Sequence, residues 1–494
     1  MPLTPSATDG SPAVAGPPPS APAPQRRIGV PGIVFFIVAA SAPLTVAAGG
    51  FTQALGVTGV LGIPVLYAAI AVVLALFTSG YAAMSRHITG AGAFYAYAAQ
   101  GLGRPAGVGT AFVALVAYNA MQVGLAGLFG ATTAEFVEAR TGVEVPWWAL
   151  VLAVTALVGV LGYRRVDVSA KVLAVLLAVE FAVVLAFDLG QLGHAPQGLS
   201  TVPLTLHSAL DGQLGVALCF VFGSYMGFES AALYSDECRD PKRTVARATY
   251  TAVAVVGLFY AFSSWAMIVG AGPDRAVGMA QQQGPELLFT LGSDALGPLF
   301  ADLSQLFLIT SILASLVSFH NAVARYVRSL GREQVLPRGL GALHPRHGSP
   351  YRGSLLQTVV TVAVTVAFAA AGRDPVADVF TWLTNLGAVG VILLMLVTSV
   401  SVVAFFARRQ HLGTGERLWH RVVAPVLAAI PLAVIFWLAL STFSVQLGVA
   451  PGNPLRWILP GLIVASAAAG LAWGHHLRRS RPTAYARIGT SRAE

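Results

Sequence analysis

The strongest constraint in this sequence is a stretch of about 20 apolar residues, nearly free of charge, that recurs twelve times between Gly29 and Gly474. The stretches cover 29–51, 59–84, 105–134, 146–163, 167–188, 211–235, 245–271, 298–326, 354–371, 379–406, 422–442 and 456–474. A helix of about 20 residues crosses a ~30 Å hydrocarbon core, and there every backbone N–H and C=O must be satisfied inside the protein. The sequence therefore predicts an all-α polytopic membrane protein with 12 transmembrane helices. With 56% hydrophobic and 10% charged residues and a mean hydropathy of +0.72, it lies outside the range of soluble domains.

The net charge of +9 does not indicate nucleic acid, because the basic residues lie between the apolar stretches and form no patch with interleaved aromatics. They sort by side instead. With the N-terminus taken as cytoplasmic, all of the 30 Lys and Arg except Arg140, Arg275, Arg373 and Arg456 fall on the inner side, as the positive-inside rule requires. The expectation is a multi-pass protein of the cell membrane with both termini cytoplasmic. Residues 1–27, rich in Pro and Ala, read as a disordered cytoplasmic tail and not as a cleavable signal. Residues 476–494 read as a basic cytoplasmic tail. Cys219 and Cys238 are too few and too differently placed to suggest a disulfide framework.

Two stretches are interrupted. Phe222-Gly223-Ser224-Tyr225-Met226-Gly227-Phe228-Glu229 places two glycines, a serine and an acid inside the sixth, ~16 Å of helix from its start at Asp211 and so near the midplane. Ala40-Ser41-Ala42-Pro43 interrupts the first, where Pro43 removes a helix hydrogen bond. Irregular backbone survives at that depth only where it is buried in protein or lines a cavity, so each break reads as part of a binding site. The alternative is a kink for close helix packing. The breaks are five spans apart and run in opposite directions, a pattern that points to inverted repeats around a midplane site. The repeats would be residues 28–190 (spans 1–5) and 205–408 (spans 6–10), with 409–475 holding peripheral spans 11 and 12.

Four motifs in order resemble the amino acid-polyamine-organocation permeases. They are Gly90-Ala91-Gly92-Ala93-Phe94-Tyr95-Ala96-Tyr97, Gly227-Phe228-Glu229-Ser230-Ala231, Asp236-Glu237-Cys238-Arg239-Asp240-Pro241-Lys242-Arg243, and Gly331-Arg332-Glu333-Gln334-Val335-Leu336-Pro337. The resemblance implies a 5+5 inverted-repeat (LeuT-type) fold with broken helices 1 and 6, alternating access, and an amino acid or amine as substrate. One position departs from the pattern. Many relatives carry a Gly-Ser-Gly-like segment in span 1 whose N–H groups take the substrate carboxylate, whereas Pro43 offers no N–H. Carboxylate capture would then rest on the positive end of the half-helix that begins near Leu44.

The substrate-binding candidates are Ala40, Ser41, Ala42, Pro43 and Leu44 at the first break and Phe222, Gly223, Ser224, Tyr225, Gly227 and Phe228 at the second. In span 3, Tyr118, Asn119 and Gln122 lie midway, with Tyr118 and Gln122 on one face. They read either as cavity residues or as partners in hydrogen bonds between helices. Two acids lie toward the middle of spans. Glu180, ~16 Å along its helix from Ser169, is a candidate proton carrier, and Glu229, just past the second break, is a candidate gate or proton shuttle. Proton-coupled relatives whose span 5 opens with a similar Ser-Ala-Lys carry a buried lysine at the Glu180 spacing, so the charge is reversed here. Ser311, Ser315 and Ser318 share a face of span 8 and suit either a sodium site or helix packing. His320 and Asn321 suit a solvated or capping role near the inner end of span 8, and Trp382 an interfacial anchor, with Asn385 beside it at the start of span 10. Arg239–Arg247 and Arg325–Arg352 are expected to hold inner helix ends through ion pairs with Asp236, Glu237, Asp240 and Glu333.

The expected function is secondary active transport of an amino acid or related amine by proton symport, with exchange or sodium coupling as alternatives. A membrane enzyme fits less well, since neither H-E-x-x-H nor a nucleophile with a nearby buried histidine base is present. A receptor has no need of two midplane acids and two broken helices. No G-x-x-x-x-G-K-[ST] run suggests nucleotide-driven transport. No catalytic residue, metal or cofactor is expected; the coupling ion would be H+, and the partners the solute and the lipid bilayer.

Overall fold

The structure is a computed structural model and describes residues 29–88, 94–164, 170–228, 241–409 and 415–490. Among these residues there is no strand. Eleven helices are long and apolar enough to cross a membrane: α1 (Val30–Thr58), α2 (Ile63–Ser85), α3 (Arg104–Thr141), α4 (Trp147–Arg164), α5 (Ala170–Gly193), α7 (Pro241–Ala271), α8 (Pro298–Arg332), α9 (Tyr351–Ala370), α10 (Pro375–Arg408), α11 (Trp419–Ser441) and α12 (Leu455–Ser480). A shorter apolar helix, α6 (Leu214–Gly223), lies between α5 and α7. The chain is thus an all-helical polytopic membrane protein with about eleven candidate spans. The sixth expected stretch corresponds to α6. The continuation from Glu229 to Asp240 lies outside the described residues, as do the first residues of the Gly90 motif.

Local chemistry sets the helix ends. In α3, Pro105 stands in the first turn, where its missing N–H costs nothing, and Gly142 closes the helix in the left-handed conformation at φ 69°. Short helices join the spans: Phe94–Gly101 before α3, then Pro273–Gln283 and Leu287–Leu296 between α7 and α8.

The helices pack in two sets. In one, α7 lies against α2 and α1, and α6 packs on α2; in the other, α3 lies against α8, α10 and α12, while α4 packs on α9. Lipid offers helices no hydrophobic gain on associating, so close van der Waals contact at small residues holds such interfaces. A Cβ on Gly257 of α7 would sit 2.6 Å from the Ala71 methyl of α2, and one on Gly390 of α10 would sit 2.6 Å from the Ala117 methyl of α3. The two sets meet where α1 packs on α8 and α6 on α10.

Candidate functional site

The site is built where α1 and α6 lose their regular backbone. The α-helical part of α1 ends at Ser41, and Ala42 takes a left-handed conformation at φ 45°, which costs an alanine roughly 1 kcal/mol. The N–H of Ala42 and the hydroxyl of Ser41 both donate to the Val38 carbonyl, which satisfies the broken end. The helix restarts at Pro43 and passes through a π-helical segment, Val46–Phe51, a geometry that often accompanies functional sites. α6 ends at Gly223, and residues 224–228 continue as turns, with Gly227 at φ 106°.

The two breaks touch. A Cβ on Gly227 would lie 2.8 Å from the Ala40 methyl, so this approach and this backbone angle both require glycine. Three buried tyrosines pin the breaks to neighbouring helices. The Tyr225 hydroxyl donates to the Tyr67 carbonyl at 2.7 Å, that of Tyr260 donates to the Ser41 carbonyl at 3.2 Å, and the hydroxyls of Tyr67 and Ser224 share a hydrogen bond of 2.8 Å. Each phenolic oxygen has a partner, as a buried polar group must.

Beside the breaks lies a partly open cavity with a volume of about 80 Å³. Of the candidates read from the sequence, Ala40, Ser41, Ala42, Gly223 and Ser224 line it. Pro43, Leu44, Phe222, Tyr225, Gly227 and Phe228 are packed around the breaks and do not line it. Thr45 and Gln53 of α1, Cys219 and Phe220 of α6, and Phe380 and Asn385 of α10 also form the wall. Among the described residues, no charged side chain lines the cavity. Toward the Thr58 end of α1, Gln53 Nε2 donates to Thr381 Oγ1 at 3.1 Å and ties α1 to α10.

In α3 the cavity is lined by Met121 and Leu125, not by Tyr118, Asn119 and Gln122. The lining pair stands three positions after Tyr118 and Gln122, which turns the face by ~60°. Gln122 takes part instead in a buried network. Its Nε2 lies 3.5 Å from His320 Nδ1, its carbonyl accepts from Gln357, and His320 Nε2 lies 2.7 Å from Ser354 Oγ. His320 is therefore a buried link between α8, α3 and α9, not a solvated or capping residue, and Gly162 of α4 leaves room for its ring. Asn119 donates to the Leu115 carbonyl of its own helix, and Tyr118 packs edge-on to Tyr326. Trp382 is buried and donates from Nε1 to the Leu447 carbonyl, so it is a packing residue and not an interfacial anchor.

Glu180 is buried beside the second part of α1. Its Oε2 accepts from Ser311 Oγ at 2.8 Å, and the Leu44 N–H also donates to the carboxylate. Thr45 Oγ1 in turn donates to Ser311 Oγ at 3.2 Å, and Thr45 lines the cavity. A chain of hydroxyls thus connects cavity wall and carboxylate. Ser315, one turn beyond Ser311, lines the cavity with a buried hydroxyl that has no hydrogen-bond partner, while Ser318 bonds back to Ala314.

A further buried acid, Asp188, escaped the sequence reading. Its Oδ2 accepts from Ser263 Oγ of α7 at 2.6 Å, while Oδ1 has no partner. The apolar stretch ends at 188, but α5 runs to Gly193 and carries the acid inside. Glu229 lies outside the described residues. So do Asp236, Glu237, Arg239 and Asp240 of the expected inner ion-pair set; Glu333 is described and accepts from the Gly489 N–H at 3.0 Å, and Arg352 donates to the Gly339 carbonyl.

Fold and cavity together define a multi-pass membrane protein with an internal cavity beside two touching helix breaks. The sequence pattern of the amino acid permease family matches residues 29–465, and the chain belongs to that family, within the amino acid-polyamine-organocation superfamily. An uncharacterized transporter of Mycobacterium tuberculosis is 28% identical over 44% of this chain and 47% of its own length, so the chain spans about half of that relative. The low-affinity putrescine importer PlaP of Escherichia coli K12 is 23% identical over 81% of this chain and 84% of its own length. A methylthioribose transporter of Bacillus subtilis is 24% identical over 80% and 86%.

Proposed function

We propose that the chain is a secondary active transporter of the cell membrane that moves an amino acid or related amine by proton symport, with Glu180 as the proton carrier. Family membership and the transport roles of PlaP and the methylthioribose transporter support the class. The observation that carries the coupling is the position of Glu180, buried at the start of the second part of α1 and linked through Ser311 to Thr45 in the cavity wall. A carboxylate buried within a membrane domain is costly and marks an ion or proton pathway. Solute bound at the breaks and a proton bound at Glu180 would act on one structural element, the start of that half-helix. Two ligands that bias one element are thermodynamically linked, and the linkage is reciprocal. Both termini are read as cytoplasmic, and residues 28–190 and 205–408 as the two repeats of an alternating-access cycle.

The test is uptake of labelled solutes by the full chain in liposomes, with and without an inward proton gradient. Glu180→Gln is expected to retain solute exchange and lose gradient-driven accumulation. Full accumulation by the variant would exclude Glu180 as the carrier. Wild-type uptake that needs internal solute would indicate an exchanger.

A further inference from the structure

We propose that Asp188 is a second proton-exchanging group, the outer station of a path that runs along the seam between α5 and α7 to Glu180. The proposal rests on the symport reading and adds a residue, a route and the side from which the proton enters.

Asp188 is fully buried, eight residues beyond Glu180 on the same helix and five before its end at Gly193. At 1.5 Å per residue it stands ~12 Å from Glu180 along the helix and ~8 Å from that end, beyond which His194 is exposed. The Gly193 end is the outer one when the basic loops face the cytoplasm. Oδ2 of Asp188 accepts from Ser263 Oγ, and Oδ1 has no partner. A serine or asparagine at this position could bond Ser263 and hold α5 to α7 equally well, without the cost of an ionisable group at membrane depth.

No cation offsets that cost among the described residues. Of the elements packed on α5, α7 has no charged residue beyond Arg247, and α1 has none from Val30 to Thr58. The helix Leu287–Leu296 carries only Asp294, which is exposed. In α8, Asp302 at the outer start pairs with Arg140, while Arg325, Arg328 and Arg332 stand at the inner end. On α5 itself, Lys171 is at the inner start. A proton is therefore the neutralising partner that this site can take.

The route follows from spacing. Glu180, Val184 and Asp188 stand at i, i+4 and i+8, along one face of α5 that turns by ~40° per step. From α7, Ser263 donates to Asp188, and Tyr260, one turn farther in, lies close enough to Glu180 to feel its charge. Between these two levels is the buried side chain of Val184, and beside it the rings of Phe181 and Phe259 close the seam with centroids 4.4 Å apart. A proton taken from outside makes Asp188 a neutral acid; its transfer to Glu180 restores the first carboxylate and neutralises the second, so atoms and charge balance. Val184 keeps the two stations apart in this structure, as coupling requires, since an unbroken wire would pass protons without solute. On the outer side, Gln191 of α5 donates to the Leu291 carbonyl, so displacement of the helix Leu287–Leu296 frees the outer end of the seam.

The test uses the purified full chain with the proton as probe. Infrared difference spectra between pH 5 and pH 8 should show two titrating carboxyl C=O bands, one lost in Glu180→Gln and the other in Asp188→Asn. If Asp188→Asn removes no titrating band, the proposal is overturned. In liposomes with an entrapped pH dye, Val184→Thr should raise the solute-free proton leak several-fold, and adding Asp188→Asn should abolish the increase; an unchanged leak excludes the route. With labelled leucine and labelled putrescine as solutes, Asp188→Asn should lose gradient-driven accumulation several-fold, and Asp188→Glu should restore it. Ser263→Ala keeps the acid and removes a donor to its ionised form, so the pH of half-maximal uptake should move upward; an unmoved profile makes Asp188 a packing residue. Wild-type accumulation that ignores the proton gradient defeats the symport reading and this proposal together. Accumulation lost in Glu180→Gln and kept in Asp188→Asn defeats this proposal alone.

Discussion

Gly227 lies against Ala40, so that the two broken helices are in van der Waals contact at a point where there is no room for another atom. Gly227→Ala adds a methyl 2.8 Å from that of Ala40 and places alanine at φ 106°. The expected cost is about 1–3 kcal/mol, read as a lower Tm with loss of uptake. Gly223→Ala is the control. Its added methyl meets nothing closer than the Ala388 methyl at 3.7 Å, an ordinary contact, so Tm should change little.

Ser311 is the only side chain that donates to Glu180 among the described residues. A hydrogen bond to a charged group contributes about 1.5–3 kcal/mol, so Ser311→Ala should shift the pH at which uptake is half-maximal upward by one unit or more. The sign follows because losing a donor to the ionised form favours the protonated form. Ser318→Ala, which removes only a bond within the helix, should leave the pH profile unchanged.

Gln122 joins α3 to His320 and Gln357 and takes no part in the cavity wall. Gln122→Leu leaves two buried polar groups with a lost partner, at about 1–3 kcal/mol each. Thermal stability should fall, while solute affinity stays within two-fold of the parent. A ten-fold loss of affinity at unchanged stability would assign Gln122 to the solute instead.

Glu286 sits in the turn before Leu287–Leu296, outside the spans, and partial burial raises its carboxyl above the usual carboxylate range, offset in part by hydrogen bonds with Glu135 and Gln305. The folded chain therefore keeps a proton that the unfolded chain releases. Stability from this group is fully present below the usual carboxylate range and is lost as pH rises through the raised value. Melting curves across that window should show the decline, and Glu286→Gln should flatten it.

Residues 482–490 follow α12 and dock on the protein: Ala484 and Ile488 are buried, the Gly489 carbonyl accepts from Gln100, and its N–H donates to Glu333. Deleting residues 482–494 uncovers this apolar contact and removes one partner of a buried acid. A fall of several degrees in Tm is expected, with uptake per folded molecule retained.

Much of this architecture could be read from the sequence because the bilayer punishes exceptions. Charge-poor stretches located the helices, and the glycines and Pro43 located the breaks, since they interrupt regular helix. Counting residues placed Glu180 at depth. The choice of helix face was not legible in the same way. Tyr118 and Gln122 differ from Met121 and Leu125 by ~60° about one helix, and polarity favoured the pair of which Gln122 in fact serves a network with His320. Asp188 was missed because Asp-Leu-Gly-Gln reads as a loop once the apolar window closes, although packing on α7 continues the helix. His320 and Trp382 were assigned by depth alone, and depth does not reveal which neighbour a side chain will find.

The docked segment also bears on how the protein is made. Residues 482–490 leave the ribosome after every helix from α1 to α12 has been synthesised, yet they complete the surroundings of Glu333 and hold Gln100, just ahead of α3. Insertion of the spans and maturation of this corner are therefore separate events in time. A chain halted at the end of α12 would have all its spans and still lack one of its internal joints.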